Sequence, residues 1–281
     1  MEMRLPNWVR AIILISALMQ LSFGIALLLD PSRIAELWPW KLPPLTARLL
    51  GASTLVSFPM SLLAIGINRF VVAAIPLVMM LTYRVLQLLA GAIHHDRFTA
   101  DSLVTLNYFG GGLLMAVAFG YPLWAGLRGT LPPAKERSPL SATRPWQSAR
   151  AALGLLGGFY VGLGLVFLMH GANAKPLWFD ASGITPLTAR LFASPLTGLG
   201  LGLVLVARAK DWRTVLVPAV GMATIGILGT FSLVFDRADF APQSAGAWLT
   251  AATPSLLLLI GLALLISRSS PSAGAPRGSP H

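Results

Sequence analysis

The sequence predicts an all-α polytopic membrane protein whose eight transmembrane helices form two tandem, parallel four-helix repeats. Three observations carry that prediction. Hydrophobic residues make up 55% of the 281 and charged ones 11%, well under the roughly 25% charged of a soluble domain. Eight apolar runs divide the chain, each long enough to cross about 30 Å of hydrocarbon at about 1.5 Å per helical residue. One phrase, Pro-Leu-Thr-Ala-Arg-Leu, occurs twice, at 44–49 and, 142 positions on, at 186–191.

Residues 1–10 are short and basic, and 11–29 form a 19-residue run interrupted only by Ser16, Gln20 and Ser22. The run exceeds a signal-peptide core and no small-x-small cleavage site follows, so an uncleaved first helix is expected. Residues 30–43 read as a polar-aromatic loop whose Trp38-Pro39-Trp40 suits the headgroup layer. Pro43 and Pro44 open a second helix to about Ile67, because a proline in the first turn forfeits no helical hydrogen bond. Asn68-Arg69 turns into a third run, 70–93, which ends at His94-His95-Asp96-Arg97. The fourth, 103–127, follows a capping Asp101 and holds Gly110-Gly111-Gly112.

Residues 129–149, with Pro132-Pro133 and Arg144-Pro145, read as a linker between a first repeat at 1–128 and a second at 150–266. The fifth run, 150–169, carries Gly154, Gly158 and Gly162 at four-residue spacing, a stripe expected to let a neighbouring helix approach closely. Runs at 187–207, 215–235 and 247–266 complete the second repeat. Residues 267–281 are rich in Ser, Pro and Gly and are expected to be a disordered tail.

The repeat extends beyond the phrase. At an offset of 140, Arg10, Ala11, Gly24, Leu28, Leu37 and Trp38 match Arg150, Ala151, Gly164, Leu168, Leu177 and Trp178; two further residues in the second-half loop then set the offset to 142. Four spans per unit is an even number, so both units enter the membrane in the same direction. Of the 21 Lys and Arg, 13 fall on the side holding both termini and seven on the other, with Arg84 inside a span. That excess predicts a cytoplasmic terminal side. Arginine outnumbers lysine, as in proteins of GC-rich bacteria, so the expected location is a bacterial inner membrane.

Composition also removes whole classes of function. A net charge of +11 would suggest nucleic acid in a soluble protein, but here the bases lie in short loops and act as topology signals. No nucleic-acid partner is expected. With no cysteine there are no disulfides, thiolate metal sites or cysteine nucleophiles. The chain has no phosphate-binding glycine loop, no GxSxG and no HExxH, and neither a catalytic residue nor a cofactor is assigned. The partners expected are the lipid bilayer and an unidentified small molecule or lipid.

Arg84 carries the most chemical information, because an arginine near the middle of a span costs about 2.5–3.5 kcal/mol to insert. No acid lies at its depth, leaving Gln87, Gln20, Tyr83 and backbone carbonyls as partners. Two readings follow: an anion or polar-headgroup site inside the bundle, or an interhelical clamp of Arg84, Gln87 and Gln20 without a ligand. Arg48 and Arg190, one in each copy of the phrase, have three possible tasks. They can pair with acids of their own half (Asp30, Glu36 or Asp96 for Arg48; Asp180 or Asp236 for Arg190), stack on Trp38 and Trp178, or bind a lipid phosphate or substrate. His94, His95 and His170 lie at the outer ends of spans. Metal or haem ligation is not expected from them, since adjacent histidines on a helix diverge by about 100° and none lies at mid-membrane depth.

The stretch from Trp38-Pro39-Trp40 through Pro44-Leu45-Thr46-Ala47-Arg48-Leu49-Leu50-Gly51-Ala52 resembles uncharacterised bacterial multi-pass membrane proteins with a tryptophan-rich loop and the same helix start. The second copy departs from it at Phe179-Asp180 and Ala193-Ser194. The resemblance implies a membrane fold and no activity. The expectation is an integral membrane protein whose biochemical activity the sequence does not specify, the first reading being a small-molecule or anion permease with a site near Arg84. The alternative is a membrane-embedded enzyme or lipid-binding protein using the outer-face residues His94, His95, Asp96 and His170.

Overall fold

A computed structural model describes residues 4–37, 40, 42–98, 103–128, 144–177, 184–240 and 244–267. Trp38, Pro39, Asp101, Trp178 and Asp180, most of the predicted linker and the predicted tail beyond residue 267 lie outside the described residues. What is described is helical, with no strand among the described residues. Among the described residues, eight helices are long and apolar enough to cross a membrane: Asn7–Leu29, Pro44–Ile67, Phe70–Ile93, Asn107–Arg128, Ala149–His170, Pro186–Arg208, Trp212–Phe235 and Gly246–Ile266. They are numbered spans 1 to 8.

Helix ends follow local chemistry. Pro44 and Pro186 sit in the first turns of spans 2 and 6, and the Thr185 side chain accepts a hydrogen bond from the Thr188 amide. Asp211 caps span 7 by accepting from the Arg213 amide at 3.0 Å. Span 2 ends at Asn68, which adopts a left-handed φ of 50° that asparagine tolerates better than most residues. Span 2 is also interrupted at Val56, because Pro59 has no N–H to offer the carbonyl of Leu55. Three boundaries differ from expectation. The helix Arg144–His170 starts inside the predicted linker, Pro145 being well placed in a first turn; the supposed loop at 30–43 contains a short helix, Pro31–Leu37; and a 3₁₀ segment, Gly171–Leu177, follows span 5.

Packing places spans 2, 3, 6 and 7 at the centre. Consecutive pairs 1 and 2, 3 and 4, 5 and 6, and 7 and 8 lie side by side, while span 3 packs on span 6, span 7 on span 2, and span 3 on span 7. Exchanging the first four spans with the last four reproduces these pairings, whereas the additional packing of span 1 on span 4 has no counterpart between spans 5 and 8 of the same extent. Spans 3 and 7 start, end and carry an internal proline (Pro76, Pro218) at positions 142 apart. Large apolar side chains stand exposed on the peripheral spans, among them Ile15, Leu113, Leu155 and Leu259. A lipid-facing rim accounts for that exposure, since lipid tails are as apolar as the side chains themselves.

The glycine stripe on span 5 does not do what its spacing predicts. A Cβ at Gly158 or Gly162 would meet nothing within 4 Å, and one at Gly154 would only graze Ala207. The close approach to span 6 uses Gly157 and Gly164 instead: a Cβ at Gly157 would lie 2.7 Å from the Gly200 carbonyl oxygen, and one at Gly164 would lie 2.2 Å from Thr197 Oγ1. These two are seven residues apart, the two-turn period of a helix seam, whereas four-residue spacing alone does not say which face of the helix meets protein.

Candidate ligand cavity and the contacts between halves

The repeated phrase is almost wholly buried. Leu45, Thr46 and Ala47, and equally Leu187, Thr188 and Ala189, are inaccessible, and one apolar cluster mixes Leu45 and Ala47 with Ala189 and Phe192. Each arginine leaves its phrase toward the opposite half. Arg48 Nε lies 2.6 Å from Asp236 Oδ2 at the end of span 7, Arg48 Nη1 donates to the Leu28 carbonyl, and the guanidinium stands 5.5 Å from the Phe235 ring centroid. Arg190 Nη1 meets His94 Nε2 at 2.5 Å beyond the end of span 3, and Arg190 Nε donates to the Leu168 carbonyl at 3.1 Å. The expectation of partners within each half is thereby corrected. The pairing is crossed because span 7 packs on span 2 and span 3 on span 6, bringing the end of one half's third helix to the start of the other's second.

Position numbers in these contacts repeat. Arg48 and Arg190 are 142 apart, and so are His94 and Asp236. Deeper in the membrane, Met79 Sδ would lie 2.5 Å from a Cβ at Gly202, and Met60 Sδ 2.5 Å from a Cβ at Gly221. Met60 and Gly202 are 142 apart, as are Met79 and Gly221. The same contact is therefore made twice with the bulky partner always in the first half. The signal was present in the sequence as paired positions, but without helix adjacency nothing said which pairs touch.

Arg190 fixes the state of His94. A guanidinium only donates, so His94 Nε2 must accept, which requires the neutral ring with its proton on Nδ1. Burial and the Arg190 charge hold the imidazolium pKa below its ordinary value, with Asp96 opposing the shift and Arg97 reinforcing it. A depressed histidine pKa means the unfolded chain binds more protons, so the contribution is intact above about pH 6.5 and is lost as pH falls through the folded value. Thermal melts between pH 7.5 and 5 should therefore show an acid-side loss of stability. His94→Gln, which keeps an acceptor without titrating, should flatten that part of the curve; an unchanged acid limb in the variant would remove His94 as its source.

Arg84 is 9% exposed, and its Nη1 donates to Gln87 Oε1 at 2.6 Å, three residues on along the same helix. Its guanidinium lies 5.2 Å from the Tyr83 ring centroid, and no carboxylate among the described residues pairs with it. Gln20 does not bond to Arg84 as expected. Its Nε2 donates to Ser16 Oγ at 2.6 Å, and Ser16 Oγ in turn contacts Met115 Sδ at 2.9 Å. Gln20, Tyr83 and Arg84 nevertheless face common space: all three line both a cavity of about 200 Å³, to which all eight spans contribute, and a smaller one of about 80 Å³.

The smaller cavity continues past Arg84 to Gln87, Asn107 and Tyr108. Asn107–Gly111 is a π turn, a geometry that inserts a residue into the helix and is frequent at functional sites. It coincides with the glycine triplet noted in the sequence. The last four spans carry no such polar pair: positions 142 beyond Arg84 and Gln87 are Gly226 and Gly229, and span 8 packs so closely there that a Cβ at Gly226 would lie 2.5 Å from Leu258 Cβ. Where span 7 has glycines packed against span 8, span 3 carries the Arg84 and Gln87 side chains, and Tyr108 of span 4 donates to the Gln87 carbonyl.

Fold and cavity together define a helical multi-pass membrane protein with a basic group at its centre. No protein family, curated protein or solved structure matches the chain.

Proposed function

We propose that the protein is a carrier for a small anion, residing in a bacterial inner membrane with both termini cytoplasmic and built from two tandem parallel four-helix halves. The observation that carries the functional part is Arg84: a buried guanidinium with no countercharge among the described residues, lining a cavity to which every span contributes. A charge in that position costs free energy unless something neutralises it, and an anionic ligand does so. The repeat part is supported by the contacts at matched offsets and by the main helix pairings, which recur when the halves are exchanged although the packing of span 1 on span 4 does not. Under this reading the ligand is held by Arg84, Gln87, Gln20 and Tyr83. Arg48 and Arg190 join the halves at the far end of the cavity, their guanidinium groups being engaged by Asp236 and His94. The same engagement weighs against the alternative of an enzyme or lipid-binding site on that face.

Reconstituted proteoliposomes test the carrier. Uptake of a panel of small anions (acetate, benzoate, sulfate, phosphate) should be accelerated for at least one, and Arg84→Gln should reduce that uptake by about tenfold or more, the loss of one strong charge-assisted contact. Uptake indifferent to Arg84 would contradict the proposal. For topology, reporter fusions after Arg137 and beyond residue 267 should report cytoplasm, while fusions near Trp40 and Asp239 report the opposite side; a reversed pattern overturns the orientation.

A further inference from the structure

We infer that the ligand is an amphipathic monoanion: one carboxylate-type head at Arg84 with an apolar body lying along the larger cavity. This rests on the reading of Arg84 as a ligand site. The first argument is charge. Among the described residues lining the larger cavity Arg84 alone is charged, so a single negative charge is neutralised whereas a dianion such as sulfate would retain one uncompensated charge in a low-dielectric interior. A cation is repelled.

The second argument is the rest of the lining. Away from Arg84 the wall is predominantly apolar, with Met60, Met79, Phe192 and Leu196 typical of it, and among its few hydroxyls Ser53 donates to the Leu50 carbonyl and Tyr160 to Thr253. A ligand polar throughout, such as a sugar acid, would strand its hydroxyls there without partners, which is costly. Methionine suits an apolar body of variable shape, because its unbranched thioether adapts to irregular surfaces. The third argument is placement. The charged and amide groups gather at one end, where Gln20, Tyr83 and Arg84 border both cavities and Gln87, Asn107 and Tyr108 lie beyond, while the rest of the larger cavity offers hydroxyls only. Arg84 commits Nη1 to Gln87, leaving further donors in the planar fork that a carboxylate matches in two parallel hydrogen bonds. The matching positions in the second half are Gly226 and Gly229, which have no side chain to hold a head group, so among the described residues the cavity has one basic head site.

The experiment uses full-length protein in phosphatidylcholine nanodiscs, titrated with octanoate, octan-1-ol, octyltrimethylammonium and sulfate while the melting midpoint and tryptophan fluorescence are followed. Octanoate should bind at least tenfold more tightly than octanol, with no response to octyltrimethylammonium or sulfate. Arg84→Gln should lose the preference of octanoate over octanol. Should that variant fail to fold, Arg84→Lys retains the charge without the fork, and octanoate should bind it more weakly while still outcompeting octanol. Sulfate binding that depends on Arg84 without octanoate binding would overturn the amphipathic ligand and leave an anion site standing. Octanoate and octanol binding equally, indifferent to Arg84, or no binding by either anion, would overturn both readings. Repeating the titration with phosphatidylglycerol in the disc separates the sources of the chemistry: weakened octanoate binding assigns the site to an anionic lipid and unchanged binding to a free solute, both within the proposed class.

Discussion

Gly200→Leu is expected to abolish the folded protein, whereas Gly158→Leu and Gly162→Leu leave it intact. A Cβ at Gly200 would lie 2.6 Å from the Gly157 carbonyl oxygen and 2.7 Å from the Val161 amide nitrogen. Both obstacles are backbone, so no rotamer change relieves the clash and spans 5 and 6 must separate along their shared length. Overpacking against movable side chains costs about 1–3 kcal/mol, and separation of a helix pair exceeds that because van der Waals contact is the main force between helices in lipid. Gly158 and Gly162 have no neighbour within 4 Å, and substitutions away from contacts change stability by about 0.5 kcal/mol or less. Size-exclusion profiles and melting curves of the three variants check this. Collapse of Gly158→Leu would mean that the open face of span 5 is covered in the membrane by something else.

Arg48→Ala is expected to destabilise the protein by about 3 kcal/mol, more than Arg190→Ala does, although the two arginines occupy matching places. Arg48 faces a carboxylate: the side chains of Arg48 and Asp236 are 14% and 11% exposed at 2.6 Å, and removing one partner of such a pair leaves the other charge buried without compensation. Arg190 faces a neutral imidazole, whose abandonment costs only a hydrogen bond. The pair Arg48→Asp with Asp236→Arg should recover part of the loss. A double-mutant cycle on Arg48 and Asp236 should give a coupling above about 1 kcal/mol, and a coupling near zero would dissolve the contact.

Asp236 and His94 explain why part of the site was illegible before the fold was known. Each lies in the same half as the arginine it does not touch, and nearness in sequence argued for pairing within the half. Crossed packing of spans 2 and 7, and of 3 and 6, decides otherwise. The glycine stripe failed for a related reason, since in a helix that is apolar all round, composition does not tell the lipid face from the protein face. Arg84 was legible because it is the exception to that uniformity: a charge at mid-membrane depth has to be buried wherever the helix goes, and its contact with Gln87 is local, three residues along one helix.

What the sequence determined by itself is whatever depends on the chain's solvent and on local geometry. Apolar run length set the number of spans, the turn and proline residues set most of their ends, and depth alone singled out Arg84. Tertiary structure decided which faces meet: the exchange of Arg48 and Arg190 partners between halves, the methionines set against Gly202 and Gly221, and the cavities that Arg84 lines together with Gln20 and Tyr83. The physical reason is that lipid is as apolar as a helix surface, so burial does not orient helices in a membrane. Close packing and the few polar contacts do, and these exist only between residues far apart in the chain.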